Sequence, residues 1–83
     1  MKTTFYIYFN HDNKHGAQYC LNRLKEEGYT AALSFLSHEN GYWCLMVSGE
    51  YGDTSTLETI EEHLSSMVTG YGGESDGYEI EVA

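Results

Sequence analysis

"YTAALSFLSHENGYWCLMVS", residues 29–48, holds two extended runs on either side of Asn40-Gly41. Asn-Gly supplies the residues that tolerate positive φ in a two-residue hairpin turn, and it is the strongest short hairpin signal. Before it, residues 29–37 read as a strand with Leu33 and Phe35 facing inward. After it, residues 42–48 place Trp43, Leu45 and Val47 on one face and Tyr42, Cys44 and Met46 on the other. That period of two is the pattern of a half-buried strand. An antiparallel hairpin is therefore expected at the middle of the chain.

Each flank supplies one strand and one helix. "TTFYIYF", residues 3–9, alternates Phe5, Ile7 and Phe9 with Tyr6 and Tyr8, which predicts a first strand. Asn10, Asp12 and Asn13 can each cap a helix, and Ala17, Cys20, Leu21 and Leu24 then share one helical face. Arg23 and Lys25 stand near its C-terminal end, where the helix dipole favours cations, and Gly28 is placed to stop it. Downstream, Ser55 and Glu58 fit a capping box. Leu57, Ile60, Leu64, Met67, Val68 and Tyr71 trace a second helical stripe that ends at Gly70 or Gly72. Residues 78–82 predict a last strand, with Tyr78, Ile80 and Val82 on one face and Glu79 and Glu81 on the other. The order β-α-β-β-α-β implies one α+β domain spanning residues 1–83, of the ferredoxin-like kind. Its four-stranded antiparallel sheet would carry both helices on one face, with the first and third strands central.

Charge is distributed unevenly. The chain carries four Lys and Arg against thirteen Asp and Glu, for a net charge of −9. The cations are Lys2, Lys14, Arg23 and Lys25, and ten of the acids lie from Glu39 onward. Such a surface repels nucleic acid, whose binding rests on cations that neutralise phosphate. It suits a protein partner with a basic surface. Glu50, Asp53, Glu58, Glu61, Glu62, Glu74 and Asp76 are the candidate residues of that anionic surface. A second candidate surface, for a partner or a homodimer, is the sheet face left bare by the helices, with Tyr6, Tyr8, Tyr42 and Met46 beside Cys44.

The remaining motifs are weak. "TGYGGESDGYEIEVA", residues 69–83, follows a helix rather than preceding one, so it is no phosphate loop, and its few oxygen ligands do not make an EF-hand. Its glycines serve a helix stop, and Asp76-Gly77 serves a turn. His11 and His15 would share a helix face only if the first helix began early, and no third and fourth ligand accompany them. His38 and His63 read as surface residues. Cys20 and Cys44 read as reduced, buried or half-buried thiols without a basic neighbour to activate them. No catalytic residue, cofactor or metal is expected. No apolar run approaches the ~20 residues of a membrane span. "MKTTFYIYFN" is not a signal peptide, so a cytoplasmic address is expected.

Within this frame "YGGESDGYE" resembles the C-terminal signature of the regulator of ribonuclease activity B family, small inhibitors of ribonuclease E. "LKEEGYTA", "NGYWCLMV" and "TLETIEEHLSSMVTGYGG" are similar to that family's helix-to-strand step, Trp-bearing third strand and acidic second helix. Ser75 and Tyr78 depart from it, standing where an aromatic and a Trp are common. The resemblance covers nearly the whole chain and implies a ferredoxin-like, non-catalytic regulator that binds and inhibits a nucleic-acid enzyme. Two other readings stay open on the residues alone. One is a phage-type nucleic-acid mimic that inhibits a defence nuclease; the other is a homodimeric small-molecule-binding domain.

Overall fold

Six elements follow one another in the computed structural model, which describes residues 1–37 and 41–81. They are β1 (Lys2–Asn10), α1 (Lys14–Glu26), β2 (Thr30–Leu36), β3 (Tyr42–Glu50), α2 (Thr54–Thr69) and β4 (Glu74–Ile80). The sheet order is β2-β3-β1-β4, and every neighbouring pair is antiparallel. β1 and β3 are the central strands, as the sequence predicts, and the architecture is the ferredoxin-like α+β fold. The Asn40 side of the expected turn, His38 and Val82 lie outside the described residues.

Alternation builds the core. Phe5, Ile7 and Phe9 of β1 and Leu45 and Val47 of β3 are each 1% exposed or less, and they join Ala17, Cys20, Leu24, Leu57, Leu64 and Val68 of the two helices in one cluster. Each large apolar side chain removed from water this completely contributes about 1.5–3 kcal/mol. The outward residues of β1 and β3, apart from Cys44, stay at least partly exposed, so the helices cover one face only.

Local chemistry fixes the helix ends. The Asn13 side chain accepts a hydrogen bond from the Gly16 N–H at 3.1 Å, capping α1. Its Nδ2 donates to the Tyr71 carbonyl at 2.8 Å, tying the start of α1 to the end of α2. α2 begins two residues before the expected Ser55: Asp53 is the cap, accepting from the Thr56 N–H at 2.8 Å and the Thr56 hydroxyl at 3.0 Å. A carboxylate adds a full negative charge at the positive end of the helix, which a serine hydroxyl cannot. Past α2, the Gly72 N–H donates to Thr69 and the Gly73 N–H to Val68, with Gly72 at φ +83°. This is a Schellman stop, and its left-handed position requires little more than a missing Cβ.

Three expectations are corrected. The last strand begins at Glu74, not at Tyr78, because Asp76-Gly77 forms a bulge inside the strand and not a turn before it. The register runs Phe5↔Tyr78 and then Ile7↔Ser75, so β4 holds one residue more than β1 across that step. Gly77, at φ +87°, absorbs it. Phe35 was expected in the inner layer but is 48% exposed, because it stands at the sheet's end, edge-on to Trp43 with ring centroids 4.9 Å apart. Tyr71 falls beyond α2 and stacks on Tyr19 at 4.4 Å, and both rings are exposed.

Candidate functional site

The sheet register brings the two candidate surfaces together. Across the bare face, one row runs Ser34, Cys44, Tyr8, Glu74, and the next runs Ala32, Met46, Tyr6 and then the bulge at Asp76-Gly77. A third row runs Thr30, Ser48, Thr4, Glu79. The face therefore grades from uncharged at β2, through tyrosines at the centre, to carboxylates at β4. Directly opposed residues of this kind have Cβ atoms about 4.5–5.5 Å apart.

Tyr8 is the hinge between the two. It meets Tyr42 edge-on at 5.1 Å. On one side of it, Tyr8, Asn10, Tyr42, Gly72, Glu74 and Asp76 line a surface cleft. On the other, Tyr6, Tyr8, Asp76, Tyr78 and Glu79 line a second. The Tyr6 hydroxyl donates to Glu79 Oε2 at 3.4 Å. Desolvation, then the Glu79 charge, raises the Tyr6 pKa; desolvation, then Cys44 and Asp76, raises that of Tyr8. Both phenols therefore stay protonated and remain hydrogen-bond donors. Cys44, opposite Tyr8 in the register, is 4% exposed, and burial raises its thiol pKa as it does that of Cys20.

The anionic side continues around the edge of the sheet. Glu61 and Glu62 of α2 line a groove with Ser65, Ser66, Ser75 and Gly77, so the acids of the helix border the same strand that carries Glu74 and Asp76. Glu58 is exposed one helical turn earlier. Glu50 and Asp53 are exposed at the end of β3 and at the α2 cap, away from the tyrosines. All four cations lie elsewhere: Lys2 starts β1, and Lys14, Arg23 and Lys25 ride on α1. Lys14 Nζ sits 5.4 Å from the Trp43 ring centre, and Arg23 pairs with Glu27 at 3.3 Å. Glu27 also meets His63 at 3.2 Å, and this contact, ahead of Arg23, lowers the Glu27 pKa.

Tyr6, Tyr8, Tyr42 and Met46 share the bare face, as the alternation of their strands predicts. Their junction with Glu74 and Asp76, and the place of Asn10 beside them, have no signal in local sequence pattern. His11 precedes α1 and so does not share its face with His15; its carbonyl instead accepts the Trp43 indole N–H at 3.1 Å. Among the described residues no group of three or more His, Cys, Asp or Glu could hold a metal ion. No helix described is long and apolar enough to cross a membrane.

The Thr56 N–H, first of its partners, holds the Asp53 carboxyl below the usual range. A depressed pKa contributes stability that is complete above the unfolded value, about 3.9, and is lost as pH falls through the folded value. Asp53→Asn keeps the capping oxygen without the proton linkage. Thermal unfolding followed from pH 7 downward should show the wild type ahead at neutral pH and the gap closing below about pH 4.

A ferredoxin-like domain with an aromatic sheet face and one anionic flank is thus the class of protein that the fold and surface define. The chain belongs to the regulator of ribonuclease activity B family, whose model matches residues 1–80. That family's role is regulatory rather than catalytic. No curated protein and no solved structure matches the chain.

Proposed function

We propose that this protein binds and inhibits a ribonuclease of the ribonuclease E kind, in the cytoplasm and without catalysis of its own. It docks a basic protein segment of the enzyme on the band that runs from α2 across β4 to Tyr8 and Tyr42. One observation carries the reading. Glu58, Glu61, Glu62, Glu74, Asp76 and Glu79 occupy adjoining elements that hold no Lys or Arg. A nuclease presents cations where the phosphate backbone of its RNA runs, and an anionic protein surface competes for the same cations. Tyrosines beside the acids supply contact area and desolvate the ion pairs, and cations also pack on their ring faces.

The carboxylate rim also argues against two tyrosine faces meeting in a homodimer, since Glu74, Asp76 and Glu79 of each copy would face those of the other. A nucleic-acid mimic aimed at a defence nuclease would use the same band, and the choice of enzyme in the assay separates the two. The test is RNA cleavage by a purified ribonuclease E-type enzyme titrated with the chain. Cleavage should fall with added protein. Complex formation should weaken steeply between 0.1 M and 1 M salt, as the screening length drops from ~10 Å to ~3 Å. A chain that leaves cleavage untouched at low salt, or that grips an RNA oligonucleotide tightly itself, would overturn the proposal.

A further inference from the structure

The two edges of the sheet are built differently. β4 is guarded: a bulge at Asp76-Gly77 interrupts its pairing, and Glu74, Asp76 and Glu79 line it with like charge. These are the devices that stop one edge strand from pairing with another chain. β2 has none of them. Its sequence, TAALSFL, holds no charge, Gly or Pro, and its register against β3 runs from Thr30↔Ser48 to Leu36↔Tyr42 without a slip. Among the described residues β2 is hydrogen-bonded only to β3, which leaves its outer row of N–H and C=O groups free. Phe35, on the same strand, is 48% exposed.

We infer that β2 is a self-association edge: it pairs antiparallel with β2 of a second copy about a two-fold axis near Leu33, giving a continuous eight-stranded sheet. Three observations select a second copy as the occupant. Charge is the first. A chain of net charge −9 resists its own approach. Pairing through β2 places the two β4 strands at opposite ends of the joint sheet. At about 4.8 Å per strand that is roughly 34 Å, several times the ~8–10 Å screening length. No other edge separates the acidic flanks so far.

Shape is the second observation. With Leu33 on the axis, Phe35 falls opposite Ala31 of the other copy, so a large exposed ring meets a small side chain on the same face. Closure is the third. Pairing β2 with the β4 of another copy would be head-to-tail and open-ended, and it would have to accept the bulge and the acids. β2 with β2 is self-complementary and stops at two. A single strand pair is a small contact, below the ~1,200 Å² typical of stable complexes, so the dimer is expected to form and dissociate with concentration.

The dimer does not depend on the proposed partner and leaves both anionic bands free. Sedimentation velocity on the purified full chain should show the mass moving from one chain to two as concentration rises. Ala32→Lys puts a charge at an exposed position of β2 and should hold the protein monomeric with its circular dichroism melt unchanged. Ser34→Lys is the second variant, should the first fail to fold. Tyr42→Ala, on the tyrosine face, should leave the dimer intact. Amide exchange in β2 of the wild type should slow as concentration rises, which reads the edge directly and without any substitution. A chain that stays monomeric at every concentration with β2 exchange unchanged refutes the inference. So does a dimer that survives both lysines and is lost with Tyr42→Ala.

Discussion

Replacing Glu74 and Asp76 together with lysine should lower capture of the proposed nuclease partner about a hundred-fold while the fold survives, an effect of roughly 2.8 kcal/mol in binding. Both side chains are exposed, and neither fills the core, so their reversal leaves the packing alone. They flank Tyr8, and their reversal turns attraction into repulsion at the centre of the proposed surface. Reversing Glu50, on the far side of the α2 cap, should cost much less. Titration calorimetry or surface capture at low salt measures both, with a melting curve for each variant. Equal losses from the two would mean that only the overall charge matters and that no defined surface exists. Close charge pairs between proteins have measured couplings large enough to support the expected size.

The second large effect is on stability. Phe5→Ala should cost about 3–5 kcal/mol. Phe5 is 1% exposed and lies at the join of three elements: its ring meets Tyr78 of β4 at 5.4 Å and Tyr51, after β3, at 6.1 Å. A domain of this length has about 4–12 kcal/mol of stability in all, so the variant loses a large share of it. Its melting temperature should fall by at least about 12 °C, at some 4–8 °C per kcal/mol. Phe35→Ala makes the contrast. The ring is half in water already, and its removal from a monomer should cost about 1 kcal/mol or less. A loss at Phe35 equal to that at Phe5 would mean that the sheet's end is packed in a way the structure does not show.

How much of this was legible in the sequence follows from the range of each signal. Phe5, Ile7 and Phe9 alternate within five residues, and Leu57, Leu64 and Val68 recur at helical spacing, so strand, helix and buried face were readable from local pattern. Phe35 fits the same alternation yet is exposed, because pattern reports which face a residue takes and not whether a helix reaches over it. Ser55 fits the capping-box motif, yet Asp53 caps α2, because the helix dipole favours a carboxylate over a hydroxyl. Asp76-Gly77 reads as a turn for the same reason that it makes a bulge: both need a residue free to take positive φ. The join of the tyrosines to the acids was out of reach. It depends on the pairing Tyr8↔Glu74, between residues far apart in the chain, and on one inserted residue in β4.

That pairing has a consequence for when the protein can act. Tyr8 is synthesised well before Glu74, because it precedes it in the chain. A nascent chain still threaded through the ribosome carries its aromatic half alone and offers no finished grip to any target. The proposed binding surface is complete only when β4 docks against β1. A single proteolytic nick that frees residues 74–80 would dismantle that surface again, taking Glu74, Asp76 and Glu79 at a stroke.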